Sequence, residues 1–265
     1  MVSSLQESTS LDIQALAQYR KDGFLVLTEL FSREETTKLS REVGEIETKM
    51  TAIADSGIEY FLDGRRFVDV GVHTLQFEAP PNGERLRVLE PAYGLSPLFQ
   101  NLLSDPRLTE PMMQILGVDG LSLWTDKINF KCAGGTGFGW HQDAPYWMHD
   151  TKNLTELPNV MIALEDVTSH SGAFEVIRGS HVQGIRKSKD DGSQLEGFYT
   201  HADEVELMNR EEFIVPAGSA IFFDPFLIHG SGPNESSRSR RAIIATYQPV
   251  DRLTLKSKTI VNLTE

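Results

Sequence analysis

A histidine and an aspartate lie two positions apart in the segment WHQDAPYW (residues 140–147), and a second histidine follows the apolar segment AIFFDPFLI (220–228). Residues i and i+2 of a β-strand point to the same side, so His141 and Asp143 can face a common point. Two imidazoles and one carboxylate leave coordination positions open, which is the ligand set of non-haem Fe(II) oxygenases. We therefore predict that His141, Asp143 and His229, the last from a neighbouring strand, bind one divalent metal ion. The simpler alternative for the short H-x-D pattern is a hydrogen-bonded pair on a loop.

Arginines follow the second histidine in the segment SSRSRR (236–241). If the co-substrate is 2-oxoglutarate, its distal carboxylate needs a partner in a closed pocket, and the planar guanidinium of arginine suits that carboxylate. The candidates are Arg238, Arg240 and Arg241. Arg240 and Arg241 would lie on opposite faces of a strand, so only one of them can point inward. The pattern alone does not choose between them.

The composition is that of a globular protein with an acidic surface. The chain has 265 residues, 40% of them hydrophobic and 24% charged, with a formal net charge of −13 and a pI of about 5.0. Such a charge repels phosphate backbones and anionic lipids, which argues against nucleic-acid and membrane partners. Cys132 is the only cysteine, so an internal disulfide is excluded and a reducing compartment is expected. With no signal-peptide pattern and no apolar run of about 18 residues, we predict a cytoplasmic location.

The first part of the sequence predicts mainly helices. Residues 12–19 have helical spacing, and residues 24–30 are rich in β-formers. Residues 32–50 open with Ser32 followed by Glu35 at the third position, which is a capping box. Residues 96–116 are also predicted to be helical, with a break at SDPR (104–107).

From about residue 121 the pattern changes to short β-type runs separated by turn residues. The runs are LSLWTDKINFK, NVMIALEDVT, AFEVIRG, EEFIVPAG, SAIFFDPFLIHG and RAIIATYQPV. Helices followed by many short strands predict helices packed on an antiparallel barrel or double sheet. The polar segment 182–213 is interpreted as a long insertion of the kind that often covers a site.

Several segments together resemble the phytanoyl-CoA dioxygenase family of Fe(II)/2-oxoglutarate-dependent oxygenases. YRKDGFLVLTELFSREE is similar to the family's first helix, strand and helix, and GTGFGWHQDAPYW is similar to its metal-binding strand. IALEDVTSHSGAFEVIRGSH resembles the turn that precedes a PGSH motif, with Arg178 in place of the usual proline. FFDPFLIHGSGPN followed by SRRAII resembles the segment of the distal histidine and the arginine. The motifs occur in the family's order and extend over most of the chain.

The resemblance implies a mainly β fold with flanking helices. Its core would be a double-stranded β-helix, which is jelly-roll or cupin-like, with the N-terminal helices packed on one sheet. We expect a single domain over residues 1–265. It would consist of a helix-rich part over 1–120 and a β-helix core over 121–252 that contains the insertion 182–213.

The resemblance also implies roles for individual residues. His141, Asp143 and His229 correspond to the iron ligands, and Arg240, eleven positions after His229, corresponds to the arginine that binds the 5-carboxylate of 2-oxoglutarate. The remaining positions expected near the co-substrate are Asn129, Trp147, Met161 and Lys127. For Met161 and Trp147, packing in the core is the alternative.

The implied function is the oxidation of a small metabolite or natural-product intermediate with Fe(II), 2-oxoglutarate and O2, most simply by hydroxylation, with succinate and CO2 as co-products. Asp143 disfavours halogenation, because related halogenases leave the carboxylate position vacant for a halide. Desaturation, epoxidation and cyclisation use the same ligands and stay open. Two further alternatives are a cupin-type isomerase or hydrolase that uses zinc or manganese, and a jelly-roll binding protein without turnover.

Overall fold

A computed structural model describes residues 10–188, 190, 192–194, 198–201, 205 and 210–264 of the chain. Its α-helices are α1 (Ile13–Asp22), α2 (Arg33–Ile53), α3 (Pro97–Leu103), α4 (Pro106–Leu116) and α5 (Ala144–Trp147). The first strands are β1 (Phe24–Leu27), β2 (Ile58–Leu62), β3 (Arg65–Val70), β4 (His73–Phe77), β5 (Leu86–Glu90), β6 (Leu121–Asn129) and β7 (Phe138–His141). They are followed by β8 (Asn159–Ala163), β9 (Phe174–Ile177), β10 (Arg210–Phe213), β11 (Ala220–Phe223), β12 (His229–Ser231) and β13 (Ala242–Pro249).

The predicted helices form where local capping signals define their ends. The Asp12 side chain accepts the Ala15 N–H at the start of α1, and Gly23 ends the helix at φ +84°, a conformation that glycine adopts without strain. At the start of α2, Ser32 and Glu35 accept each other's backbone N–H groups, which confirms the capping box. The break predicted after residue 103 is also present, because Asp105 caps the new helix α4.

Two antiparallel sheets form the core of the molecule, as the jelly-roll expectation requires. One has nine strands in the order β1-β11-β8-β13-β6-β5-β4-β3-β2, and the other has four strands in the order β10-β9-β12-β7. This confirms the predicted fold class of a mainly β core with flanking helices.

The central strands of the large sheet are buried on both faces, which explains their almost continuous apolar sequences. In β8, Val160 and Ile162 pack into the cluster that contains α2 residues such as Leu39, whereas Met161 and Ala163 pack against the small sheet. Strands β11 and β13 alternate in the same way. The helices therefore cover the outer face of the large sheet, and the space between the two sheets is left for the site.

The N-terminal part contains more β-structure than the sequence interpretation expected. Strands β2–β5 form an antiparallel meander that extends the large sheet beyond β6. Its first hairpin turns at Asp63 (φ +48°) and Gly64 (φ +73°). An Asp-Gly pair between β-prone residues is a strong hairpin signal, so the description of 1–120 as simply helix-rich was incomplete.

The predicted insertion, residues 182–213, extends too far towards the C-terminus. Residues Arg210–Phe213 form β10, which pairs with β9 and so belongs to the core. Several other positions of the insertion lie outside the described residues. The single-domain organisation over 1–265 stays a prediction. Within the described part of the chain, no helix is both long enough and apolar enough to cross a bilayer.

Candidate metal centre and adjoining cavity

The two histidines of the predicted metal site are direct neighbours across a strand pair. His141 ends β7 and His229 begins β12, and the two residues face each other in the antiparallel register. Their ring centroids lie 4.2 Å apart. The prediction that His229 would come from a neighbouring strand is confirmed.

Asp143 faces the same point, but its backbone conformation differs from the predicted one. It lies beyond the end of β7, with helical backbone angles, at the start of the short helix α5. The strand ends early because Pro145 sits in the first turn of that helix and because the Gln142 side chain bonds backbone groups on the insertion side, among them Gly184 O and Arg186 N. The i, i+2 prediction was therefore right about convergence and wrong about an extended conformation at Asp143.

The ligand atoms of these three residues all lie within 4.8 Å of one another. His141 Nε2 is 3.8 Å from Asp143 Oδ1, and His229 Nε2 is 3.8 Å from Asp143 Oδ2. Among the described residues, no other group of three histidine, cysteine or acidic side chains converges in this way.

Backbone carbonyl groups fix the orientation of both imidazoles. His141 Nδ1 lies 2.7 Å from Gly139 O, and His229 Nδ1 lies 2.9 Å from Leu227 O. Each Nδ1 therefore carries the proton that it donates, and each Nε2 presents a lone pair to the centre. Such outer contacts are typical of metal-binding histidines.

The Asp143 carboxylate is held by a polar chain inside the large sheet. Asn159 Nδ2 donates to Asp143 Oδ2 at 3.0 Å, and Thr246 Oγ1 donates to Asn159 Oδ1 at 2.6 Å. All of these residues are buried. Because both the nitrogen and the oxygen of the Asn159 amide are hydrogen-bonded, the amide holds the carboxylate in only one orientation.

The electrostatics of the site favour neutral imidazoles beside an ionised carboxylate. Burial, followed by the neighbouring His229, lowers the pKa of His141 to about 3, and burial also lowers the pKa of His229. Burial alone would raise the pKa of Asp143, but Lys127, the two histidines and the Asn159 hydrogen bond outweigh it and lower that pKa. These are the protonation states in which the side chains can bind a divalent metal.

A cavity of about 270 Å³ opens from the centre between the sheets. Every residue predicted from the sequence lines it: His141, Asp143, His229, Arg240, Asn129, Lys127, Met161 and Trp147. Lys127 Nζ lies 3.9 Å from Asp143 Oδ1, which puts it beside the metal ligands. The structure brings the predicted side chains together, and their individual roles stay predictions.

The three candidate arginines separate clearly. Arg240 is buried (3% exposed) and lines the cavity. Arg241 points to the other face, where it pairs with Glu165 at 2.6 Å and donates to Ser40 O of α2. Arg238 is exposed. Of these three arginines, only Arg240 can contact a ligand in the cavity.

Polar atoms without a partner remain in this cavity. Arg240 donates through Nη2 to Gly172 O, but its Nε has no partner, and neither has Asn129 Oδ1. Buried polar atoms are rarely left unsatisfied, so these atoms indicate a missing polar ligand. An unengaged guanidinium N–H suits a carboxylate. The donor set therefore fits both Fe(II) and a keto acid with an anionic tail.

Sequence reasoning missed several residues that surround the site. Ser231 lies two positions after His229 on β12 and lines the cavity, so the same i, i+2 spacing could have identified it. Asn159 was visible as a polar residue at the start of an apolar run. Leu62 and Phe67 of the meander and Tyr199 of the insertion also line the cavity, but no local pattern indicates these contacts.

Comparison with known proteins agrees with this geometry. The family model described as phytanoyl-CoA dioxygenase (PhyH) matches residues 19–242 of the chain. The match includes β1, all four strands of the small sheet and the complete candidate metal centre.

Curated relatives match along nearly the whole chain. A probable alpha-ketoglutarate-dependent hypophosphite dioxygenase from Stutzerimonas stutzeri is 27% identical over 244 residues, covering 88% of this chain and 77% of the relative. An L-proline trans-4-hydroxylase from Streptomyces griseoviridis is 27% identical over 260 residues, covering 90% and 87%. The crystal structure of EctD from S. alaskensis with 2-oxoglutarate and 5-hydroxyectoine superposes with a TM-score of 0.71 at 22% identity, covering 96% of this chain and 83% of that one. At that identity the structural match supports the fold.

Proposed function

Because the chain belongs to the phytanoyl-CoA dioxygenase family, we propose that it is an Fe(II)- and 2-oxoglutarate-dependent oxygenase that hydroxylates a small metabolite or natural-product intermediate. O2 is the oxidant, and succinate and CO2 are the co-products. The observation that carries the proposal is the convergence of His141, Asp143 and His229 in one cavity with the buried Arg240.

The metal ligands of the chain would hold Fe(II) on one side and leave its other positions facing the cavity. Bound iron would supply the redox chemistry that activates O2 and oxidises an unactivated C–H bond. The protein keeps both imidazoles neutral, and the contact from Asn159 fixes the carboxylate of Asp143. This arrangement prepares the ligand atoms before the metal binds, which lowers the cost of ordering them.

Arg240 would bind the distal carboxylate of 2-oxoglutarate. Burial lowers the pKa of Arg240 to about 10, so the side chain is still a cation near neutral pH. Its free Nε–H and the low polarity around it strengthen a charge-assisted hydrogen bond. We assign Asn129, Met161, Trp147 and Lys127 to the walls of the same co-substrate pocket.

The opposite side of the cavity would bind the substrate. Tyr146 and Tyr199 line the cavity, and Phe198 stacks on Tyr146 with ring centroids 4.4 Å apart. Asp63 and Gln194 exchange backbone-to-side-chain hydrogen bonds of 2.9 and 2.7 Å, which join the meander to the insertion at this end. A cavity of about 270 Å³ suits small substrates. The names of relatives that act on proline and hypophosphite are consistent with this size class.

Succinate formation tests the proposal. We expect Fe(II)-dependent conversion of 2-oxoglutarate to succinate, accelerated by a substrate found in a panel of small metabolites. Arg240→Ala should raise the KM for 2-oxoglutarate by at least about tenfold, because a charge-assisted bond contributes roughly 1.5–3 kcal/mol. Arg241→Ala is the matched control, since Arg241 pairs with Glu165 outside the cavity. Equal effects of the two substitutions on that KM would contradict the assignment of Arg240.

A further inference from the structure

We propose that Lys131 is a positioning residue for the co-substrate: it holds the hydroxyl of Ser231 and forms, together with Arg240, a two-cation anchor for the distal carboxylate of 2-oxoglutarate. The inference rests on the proposed function and adds to it a residue that does not itself line the cavity.

Lys131 lies directly behind the cavity wall. It follows β6, is only 1% exposed, and its Nζ donates to Ser231 Oγ at 2.6 Å. Ser231 is a cavity-lining residue, whereas the lysine side chain is in the layer behind it. The backbone of Lys131 is at φ +34°, which is unusual for a residue with a side chain. The fold therefore accepts local strain at the position that directs this lysine towards Ser231.

The direction of the hydrogen bond prepares Ser231 to receive an anion. A lysine ammonium has three donors and no acceptor, so Ser231 Oγ is the acceptor of this bond whenever Lys131 is protonated. The hydroxyl hydrogen of Ser231 is then free to point into the cavity as a donor. A carboxylate oxygen is the acceptor that such a hydroxyl suits best.

Lys131 and Arg240 are parts of one compact group. The Arg240 backbone N–H donates to Lys131 O at 3.0 Å, and the Arg240 guanidinium donates to Gly172 O. A Cβ added at Gly172 would lie 2.6 Å from Lys131 Cε, so glycine at this position lets the lysine stem pass close to the backbone that Arg240 binds.

The group places two buried basic side chains together without an opposing carboxylate. Within the described part of the chain, no acidic side chain lies within salt-bridge distance of Lys131 or Arg240, in contrast to Arg87, which is 3.9 Å from Glu78. Burial first, and then the charges of Arg240 and Arg87, lower the pKa of Lys131 to about 6. Glu78 and Glu175 oppose this shift without forming a contact. Near neutral pH the ligand-free lysine is therefore largely uncharged, and a carboxylate bound beside it would raise its pKa again and restore the second cation of the anchor.

The test compares Lys131→Met with the wild-type protein loaded with Fe(II) under anaerobic conditions. Methionine keeps the side chain as far as Cε and removes the amino group. Isothermal titration calorimetry measures the Kd of 2-oxoglutarate and of 2-oxovalerate, a keto acid of the same length without the distal carboxylate. We expect Lys131→Met to raise the Kd of 2-oxoglutarate about tenfold and to leave the Kd of 2-oxovalerate unchanged. Exposed Lys152, replaced by Met, is the control and should change neither value.

Two further measurements separate positioning from a structural role. Because the ligand-free lysine is already largely uncharged near neutral pH, Lys131→Met should leave the melting temperature of the ligand-free protein unchanged or raise it. Ser231→Ala should weaken 2-oxoglutarate binding similarly. The double variant should bind 2-oxoglutarate no more weakly than either single variant, because both changes remove the same Lys131–Ser231 interaction.

The outcomes are distinct. If the wild-type protein binds no 2-oxoglutarate, the proposed function itself fails. If the wild-type protein binds it and Lys131→Met binds it equally well, the inference about Lys131 alone is overturned. The inference is also overturned if Lys131→Met weakens both keto acids equally, melts at a lower temperature or does not fold, since Lys131 would then serve the structure.

Discussion

At the scale of single residues, each histidine of the site uses one ring nitrogen for orientation and the other for the metal centre. His141 and His229 each use Nδ1 to bond a backbone carbonyl and leave Nε2 for the centre. Their residue types and spacing made them predictable from the sequence. The bonds that orient them were not predictable, because they depend on the backbone conformation at Gly139 and Leu227. Asn159 was visible as a polar residue in an apolar run, but its contact with Asp143, 16 positions away, was not predictable from a local pattern.

Asn159 provides a direct test of this orienting layer. Asn159→Ala removes the hydrogen bond to Asp143 Oδ2 and frees the carboxylate to rotate. We expect the Fe(II) affinity to fall about 10- to 100-fold, which is the usual cost of losing an outer-layer partner of a metal ligand. The measurement is the Fe(II) concentration that gives half-maximal succinate formation. Thr246→Val removes only the outer bond of the chain and should have a smaller effect. An unchanged Fe(II) affinity of Asn159→Ala would show that Asn159 does not orient the carboxylate.

At the scale of secondary-structure elements, local sequence signals predicted where helices begin but not the strand end that tertiary contacts determine. The capping box of α2 and the Asp105 cap of α4 are encoded by neighbouring residues. Helix α2 begins where predicted, and α4 begins within the break predicted at residues 104–107. The end of β7 could not be read from alternation, because tertiary contacts of Gln142 and the following Pro145 end the strand. The meander was predictable in part, since its Asp-Gly turn is a local signal that the interpretation did not use.

The start of α2 should contribute to the dependence of stability on pH. The hydrogen bond from Arg107, opposed by burial and aided by Ser32, lowers the pKa of Glu35 to about 2. A carboxyl group with a lowered pKa in the folded state stabilises the protein above its unfolded pKa, and this contribution is lost as the pH falls towards 2. Glu35→Gln keeps a capping residue at this position. We expect it to lower the melting temperature at pH 7 and to reduce the decrease in stability between about pH 4.5 and pH 3.

Thermal unfolding followed by circular dichroism across this pH range checks the prediction. Glu34→Gln is the matched control, because Glu34 pairs only with Lys38 on the exposed face of the same helix. If Glu34→Gln and Glu35→Gln change the pH dependence to the same extent, the contact with Arg107 is not its source.

At the scale of the whole molecule, the site lies where distant segments of the chain meet. The small sheet supplies both histidines, the large sheet supplies Asn129, Met161 and Lys127, and Arg240 lies two residues before β13. Hydrogen bonds between Asp63 and Gln194 join the meander to the insertion. The order of helices and short strands predicted an antiparallel barrel or double sheet, and the family resemblance implied the jelly-roll core. The contacts between the meander and the insertion join residues about 130 positions apart in the chain, and no local pattern predicts them.

Anaerobic binding of iron and 2-oxoglutarate tests the central claim most directly. Equilibrium dialysis should give one Fe(II) per wild-type chain, and adding 2-oxoglutarate should produce a visible charge-transfer absorption that saturates at one equivalent. His229→Ala removes one of the converging ligands and should abolish both signals while the protein remains folded by circular dichroism. A wild-type protein without the absorption, or a His229→Ala variant that gives it unchanged, would contradict the claim that His141, Asp143 and His229 bind the iron of an oxygenase.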